Sequence, residues 1–269
     1  MSPHALPGST ASANAGAHFV NEVGCYALTE WRVLWRERTA MVFIFILPAV
    51  LSAILGPGVS GLDSAPGAMG RATIGFAVMF SYMVVTYSGH AFYRDFWYHT
   101  SGRQALIRPS KLAFAIGKVL PACAMSFAQL LLFTGFAAVF LDLPLHGNLL
   151  QVALTGAALV VSGSALGFLL FAVTRSTATL SNLSYLVLVT FSAVGGAIVV
   201  TDALPAWSRT LGYATPHYWA LRALHEVTFG EGRWGVVLQS TAVILAFTAV
   251  CAAVASLAFD FRDQKHDTT

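Results

Sequence analysis

Few side chains in this 269-residue sequence could take part in bond-making chemistry, and their spacing is poor for it. A nucleophile needs a base within hydrogen-bond reach. His90, His99, His146, His217 and His225 do not share a helical face with a Ser or Asp that would complete such a pair. Cys25, Cys123 and Cys251 lie far apart, without a CxxC or a Cys/His cluster, so they read as small apolar packing residues rather than a disulfide or metal set. Gly117-Lys118 lacks the upstream glycine and the following Ser or Thr of a phosphate-binding loop, so the chain itself has no such cradle for ATP. No HExxH, no GxSxG and no pair of intramembrane carboxylates is present. An ion-driven carrier places ionisable groups near the bilayer centre, and the apolar stretches here carry none at their centres. A chain that does work would therefore draw its energy from a partner.

Composition explains where these residues must sit. Hydrophobic residues make up 57% and charged residues 10%, too few charges to cover a water-exposed surface. The expected fold is an all-α integral membrane protein of six transmembrane helices, preceded by an interfacial helix. About 20 apolar residues cross the hydrocarbon core, which places spans near 40–62, 72–92, 112–141, 149–173, 177–201 and 235–259. Residues 1–17, small and polar, read as a disordered cytoplasmic tail, and 261–269 as a second cytoplasmic tail, flanking a transmembrane domain over 18–260. Residues 18–38 mix Trp31 and Trp35 with Arg32, Arg36 and Arg38, which fits a helix lying in the membrane interface. Pro48 and Pro121 are expected to kink their helices. Lys118, the one charge well inside these limits, is expected to snorkel to the nearby basic end of its span. Aromatics crowd 202–234, so short helices on or in the outer leaflet are expected there.

Lys and Arg set the orientation. They cluster before the first span (Arg32, Arg36, Arg38), between the second and third (Arg94, Arg103, Arg108, Lys111), at Arg175, and in the tail (Arg262, Lys265). The opposite side holds Arg71, Arg209, Arg222 and Arg233. Both termini are thus expected in the cytoplasm, in a multi-pass protein of the inner (cytoplasmic) membrane.

Three passages resemble the permease subunits of ABC type-2 exporters, the class that moves drugs, polyketides, lipids and polysaccharides. They are EWRVLWRERTAMVFIFILPAVLSAIL, the stretch FYRDFWYHTSGRQALIRPSKLAFAIGKVL, and GYATPHYWALRALHEVTFGEG. In the second, Arg94-Asp95, Gly102, Leu106, Pro109, Lys111 and Gly117-Lys118 fall in the family's order; the third carries Pro216, Tyr218, Arg222 and Gly230. The inner loop departs from the family in reading Phe96-Trp97-Tyr98-His99 where acidic residues are common. The resemblance implies a second permease subunit, identical or not, and a separate cytoplasmic ATPase that binds ATP and Mg, with no cofactor and no nucleic acid on this chain. It also implies that loop 94–110, through Arg94, Asp95, Arg103 and Arg108, forms with the interfacial helix the surface that docks that ATPase, and that spans 2 and 5 line the substrate path. Those spans carry polar and aromatic faces: Met79, Met83, Thr86 and His90 with Tyr82 and Tyr87 on one, and Ser181, Asn182, Tyr185, Ser192 and Gly196 on the other. Tyr82, Thr86, Asn182 and Tyr185 are the candidate contacts for a hydrophobic or amphipathic compound leaving the cell. The alternative is a six-span structural or assembly protein that moves nothing. Gly163 and Gly167 form a small-xxx-small pair read as close helix packing.

The charge asymmetry predicts that cysteine labelling from either side of the membrane places positions near 100 and 265 in the cytoplasm and positions 146 and 215 outside. Labelling of position 100 from outside would overturn this orientation.

Overall fold

The computed structural model describes residues 9–60, 67–97, 110–141, 143–198 and 204–258, and within them every regular element is a helix. In chain order these are α1 (Ser9–Arg36), α2 (Arg38–Met41), a π-helical turn (Val42–Ile46), α3 (Leu47–Ser60), α4 (Ala68–Ser81), α5 (Val84–Trp97), α6 (Lys111–Phe140), α7 (Leu149–Val173), α8 (Thr177–Gly195), α9 (Ala206–Gly212), α10 (Pro216–Thr228) and α11 (Trp234–Ala258). Five helical stretches are long and apolar enough to cross a bilayer: Ala68–Asp95, Leu112–Phe140, Leu149–Val173, Thr177–Gly195 and Trp234–Ala258; Ile44–Gly58 is a shorter apolar helix. The protein is an all-α membrane protein of about six spans.

Helix α1 begins at Ser9, within the stretch read above as a tail. Ala11, Ala13, Ala15 and Ala17 are strong helix formers and account for the extension. The first apolar stretch is not one regular helix. Pro48 has no N–H to give the carbonyl four residues back, and its ring crowds that carbonyl. The chain answers with the π-helical turn Val42–Ile46 just before it. Pro121, by contrast, lies inside the unbroken α6.

The second apolar stretch is interrupted at its middle. Tyr82 N donates to Met79 O (3.2 Å), Met83 N to Phe80 O (3.1 Å), Val85 N to Tyr82 O (3.1 Å) and Thr86 N to Met83 O (3.0 Å). These i→i−3 bonds make a tight turn between α4 and α5. It forms where Tyr82, fully buried, meets the edge of His217 from α10 with ring centroids 4.5 Å apart.

Helix α7 is the hub, packing on α11, α5, α6, α10 and α8. Its start is fixed by a capping box: Leu150 N donates to Asn148 Oδ1 (2.9 Å) and Asn148 N to Gln151 Oε1 (2.7 Å). Gln151 Nε2 also donates to Gly232 O at 2.8 Å, tying α7 to the loop before α11. Gly163 and Gly167 let α5 approach α7 closely. A Cβ on Gly163 would lie 2.5 Å from a Val84 methyl, and one on Gly167 2.4 Å from the Val85 carbonyl oxygen. Ser88 Oγ then donates to Ser164 Oγ across the same seam (3.1 Å).

Residues 204–228 form α9 and α10. Thr215 caps α10, its Oγ1 accepting from Tyr218 N at 3.4 Å, and Pro216 occupies the first turn, where no N–H is needed. Leu221, Leu224 and Val227 face inward, while Trp207, Tyr213 and Trp234 remain exposed, as an aromatic belt requires.

Two glycine substitutions should separate close approach from simple helix propensity. Gly167→Ala forces a methyl onto a backbone oxygen and should destabilise by about 1–3 kcal/mol. Gly135→Ala, with nothing within 4 Å of the new Cβ, should stabilise by about 0.5–1 kcal/mol. Thermal unfolding midpoints of the purified chain report both; equal shifts would contradict the packing described.

Candidate functional site

The buried charges at one end of the bundle come from three elements. On α1, Val23, Tyr26, Glu30 and Leu34 follow three-to-four spacing and so share a face, with Glu37 just past the helix end. That face lies along the start of α6, where Gly117 makes room: a Cβ there would meet Tyr26 Cβ at 2.6 Å and Val23 O at 2.9 Å. The approach brings Glu30 onto Lys118, the next residue of α6. Lys118 Nζ donates to Glu30 Oε1 at 2.6 Å and is 2.8 Å from Asp95 Oδ2 on α5. Arg94, also on α5, pairs with the other Glu30 oxygen and reaches Glu37 at 3.4 Å. Glu30 is 2% exposed, Lys118 4% and Asp95 9%.

These values correct the expectation that Lys118 snorkels. Its ammonium is enclosed between two carboxylates, because leaving the protein for the interface would strand Glu30 and Asp95 in an apolar environment. An unpaired charge there costs several kcal/mol. The cluster alternates in sign, Glu37–Arg94–Glu30–Lys118–Asp95, so each interior charge has a counter-charge in contact on both sides. Its carboxylates and its cations are engaged with one another in ion pairs. What it can do is make α1, α5 and α6 move together at this end.

Aromatic packing reinforces the same joint. Phe92 stacks on Phe171 of α7 (5.2 Å) and tilts against Phe114 of α6 (5.8 Å), while Tyr26 of α1 meets Phe114 edge-on (5.3 Å). Tyr93 Oη donates to Thr174 O at 2.8 Å, fixing α5 to the end of α7.

Of the residues expected to dock an ATPase, Arg94 and Asp95 sit in this cluster, Arg94 with part of its side chain exposed. Arg103 and Arg108 lie outside the described residues, as does most of loop 94–110. Of those expected along the substrate path, Tyr82 is fully buried and Thr86 is 8% exposed, both within the bundle. Asn182 and Tyr185 are exposed on the outside of α8, Tyr185 at 48%. A single chain thus does not bring the four together. The turn at Tyr82–Met83 shifts the register of the face read along a continuous span, which is why Tyr82 turns inward. Spans 2 and 5 are nevertheless joined: His90 Nδ1 bonds Thr86 O (2.8 Å) and its Nε2 meets Ser181 Oγ (3.2 Å). The cysteines are free, with Cys123 Sγ 2.8 Å from Ser164 Oγ.

Sequence reasoning missed Glu30 as a partner. The signals were present: one acidic residue on the apolar face of α1, and one lysine two turns into α6, whose only other charge is Lys111 at its first position.

The family model for ABC-2 type transporters matches residues 25–229, which begin within α1 and end just after α10. Comparison with curated proteins gives no match.

Replacing Lys118 by Met should cost about 3–5 kcal/mol, since it leaves two buried carboxylates short of a counter-charge. Adding Glu30→Gln and Asp95→Asn should recover part of that loss. The check is denaturant or thermal unfolding of the purified chain, and an unchanged midpoint for Lys118→Met would rule the cluster out as a stabilising joint.

Proposed function

The chain belongs to the ABC-2 type transporter family, and from that premise we propose that it exports a hydrophobic or amphipathic compound, drug-like metabolite or lipid, across the inner membrane. As a permease of an ABC transporter it works with an ABC ATPase within a lipid membrane. In this reading two permease subunits, identical or different, enclose the path, and ATP and Mg stay on the ATPase. Membership of a transporter family leaves nothing in support of a purely structural six-span role.

The observation that carries the reading is the charged joint. Helix α5 leads directly into loop 94–110, the proposed docking surface. At that exit Arg94 and Asp95 are tied to α1 through Glu30 and to α6 through Lys118. A displacement of the loop by a docked ATPase would then reach three helices at once. Arg103 and Arg108 remain the candidates for direct contact with acidic groups of the ATPase. Arg94 and Asp95 act by positioning the loop.

Substrate class follows from what the path offers. Away from the cluster the spans present aromatic, thioether, hydroxyl and amide groups, which stack on and hydrogen-bond to flat or amphipathic molecules. Tyr185 and Asn182, exposed on α8, would face such a compound across the interface with the second subunit. Tyr82 and Thr86, inside the bundle, would set the shape of the path from behind.

Three outcomes are expected. The chain alone hydrolyses no ATP. In the assembled transporter, Arg103→Glu with Arg108→Glu weakens co-purification of the ATPase without lowering the yield of the chain. Tyr185→Ala and Asn182→Ala alter substrate-stimulated ATPase activity severalfold at normal yield. Normal stimulation in both α8 variants, or stimulation only by sugars or ions, would sink the assignment of path and substrate.

A further inference from the structure

Helix α1 has two apolar faces, and the charged joint uses one of them. Tyr26, Glu30 and Leu34 turn inward, with Leu34 packed beside Ala122 and Met125 of α6. Leu28, Trp31 and Trp35 also recur at three-to-four spacing, but all three are exposed. Beside them stand Arg32 and Arg36, one turn apart and exposed as well. Trp31, Arg32, Trp35 and Arg36 line a groove of about 390 Å³. The two indole rings stack, with centroids 6.1 Å apart and planes 22° apart.

The charges along α1 are unequally settled. Glu30 is enclosed in the joint, Glu37 reaches Arg94 (3.4 Å), and Glu22 accepts from Ser110 N (3.4 Å). Among the described residues, Arg32 and Arg36 have no ion pair and no side-chain hydrogen bond. Each guanidinium offers five N–H donors in a planar fork that suits phosphate, and each indole adds an N–H.

The depth of the groove points to lipid. Helix α6, on which α1 lies, has 30 residues. That is roughly 45 Å of helix against about 30 Å of hydrocarbon. The excess lets the first turns of α6, where Gly117 and Lys118 meet α1, stand at the headgroup level. Tryptophan belongs at that level too. Two uncompensated arginines there favour an anionic headgroup, because a zwitterionic one brings a cation of its own.

We infer that the groove of Trp31, Arg32, Trp35 and Arg36 binds one anionic phospholipid of the bilayer, with its phosphate on the two guanidinium groups and its first methylenes against the indole rings. The lipid also bears on the joint, since Glu30 directly precedes Trp31 and Leu34 directly precedes Trp35. A headgroup held on the outer face fixes the roll of α1 and so keeps Glu30 seated on Lys118. Neither the transported compound nor the ATPase enters into this.

The test is native mass spectrometry of the full chain in detergent, titrated with phosphatidylglycerol and, separately, with phosphatidylcholine of the same acyl chains. The wild type should retain one phosphatidylglycerol per chain in clear preference to phosphatidylcholine. Arg32→Gln and Arg36→Gln should each weaken it about fivefold, the effect of one basic residue near an anionic surface, and together at least about tenfold. Arg38→Gln, an exposed arginine of α2 outside the groove, should bind as the wild type does. Without lipid the unfolding midpoints of the single variants should match the wild type, so these carry the test even if the double variant folds poorly. Phosphatidylglycerol should raise the midpoint of the wild type and not that of the double variant. Wild-type affinity in both single variants would overturn the inference, as would equal binding of the two lipids. An equal loss in Arg38→Gln would do so too, because diffuse surface charge would then explain the binding. So would displacement of the lipid by millimolar inorganic phosphate, since recognition would then stop at the free anion.

Discussion

An ammonium group two turns inside an apolar helix has to be neutralised, and most of this end of the bundle is arranged around doing so. Lys118 needs Glu30, and Glu30 can reach it only if α1 lies against α6. Gly117 provides that approach by having no side chain where Tyr26 and the Val23 carbonyl come closest. Asp95 completes the enclosure from α5, and Arg94 balances the second oxygen of Glu30. The geometry of three elements thus follows from one buried charge. Buried ion pairs are seldom a source of net stability compared with well-packed apolar residues. Their value is specificity: other registers of α1 along α6 would leave charges unmatched.

The rest of the bundle is held by a different device. Lipid tails are as apolar as the helices, so hydrophobicity does little to bring spans together, and close van der Waals contact must do it. Helix α7 shows how. Gly163 and Gly167 admit α5 to backbone distance, and Gly156 takes the Leu130 side chain of α6. Small hydroxyls then settle their bonds locally, as Ser162 does with Leu159 O at 2.7 Å. At the far end backbone bonds contribute as well: His146 N and Gly147 N both donate to Val227 O (3.1 and 2.9 Å), fastening the α6–α7 connection to α10.

How much of this was legible in the sequence varies with the range of the interaction. Helical class, approximate spans and the close packing at Gly163 and Gly167 depend on runs and spacings within one segment, and they could be read directly. The Trp-Arg pattern marking α1 is equally local. The pairing of Glu30 with Lys118 joins residues 88 apart, and nothing local says which lysine a lone glutamate will meet. The inward turn of Tyr82 was hidden for another reason. A face drawn at 3.6 residues per turn assumes an unbroken helix, and the i→i−3 bonds at Tyr82–Met83 break that assumption with no Gly or Pro in the turn itself to announce it. Asn182 and Tyr185, on an unbroken helix, do share a face, but the face points away from the single chain's core.

The π-helical turn at Val42–Ile46 makes the chain unusually sensitive to length at that point. Successive residues of an α-helix advance by about 100° around the axis. A wider turn holds one residue more than a regular one would, and so sets the angular phase between what precedes and follows it. Losing a single residue there would let an ordinary helix form, and it would swing α1, with its tryptophans and Glu30, by about a quarter turn relative to α3. Surface loops absorb such deletions readily. This stretch behaves instead like a keyed shaft, in which the count of residues matters more than their identity.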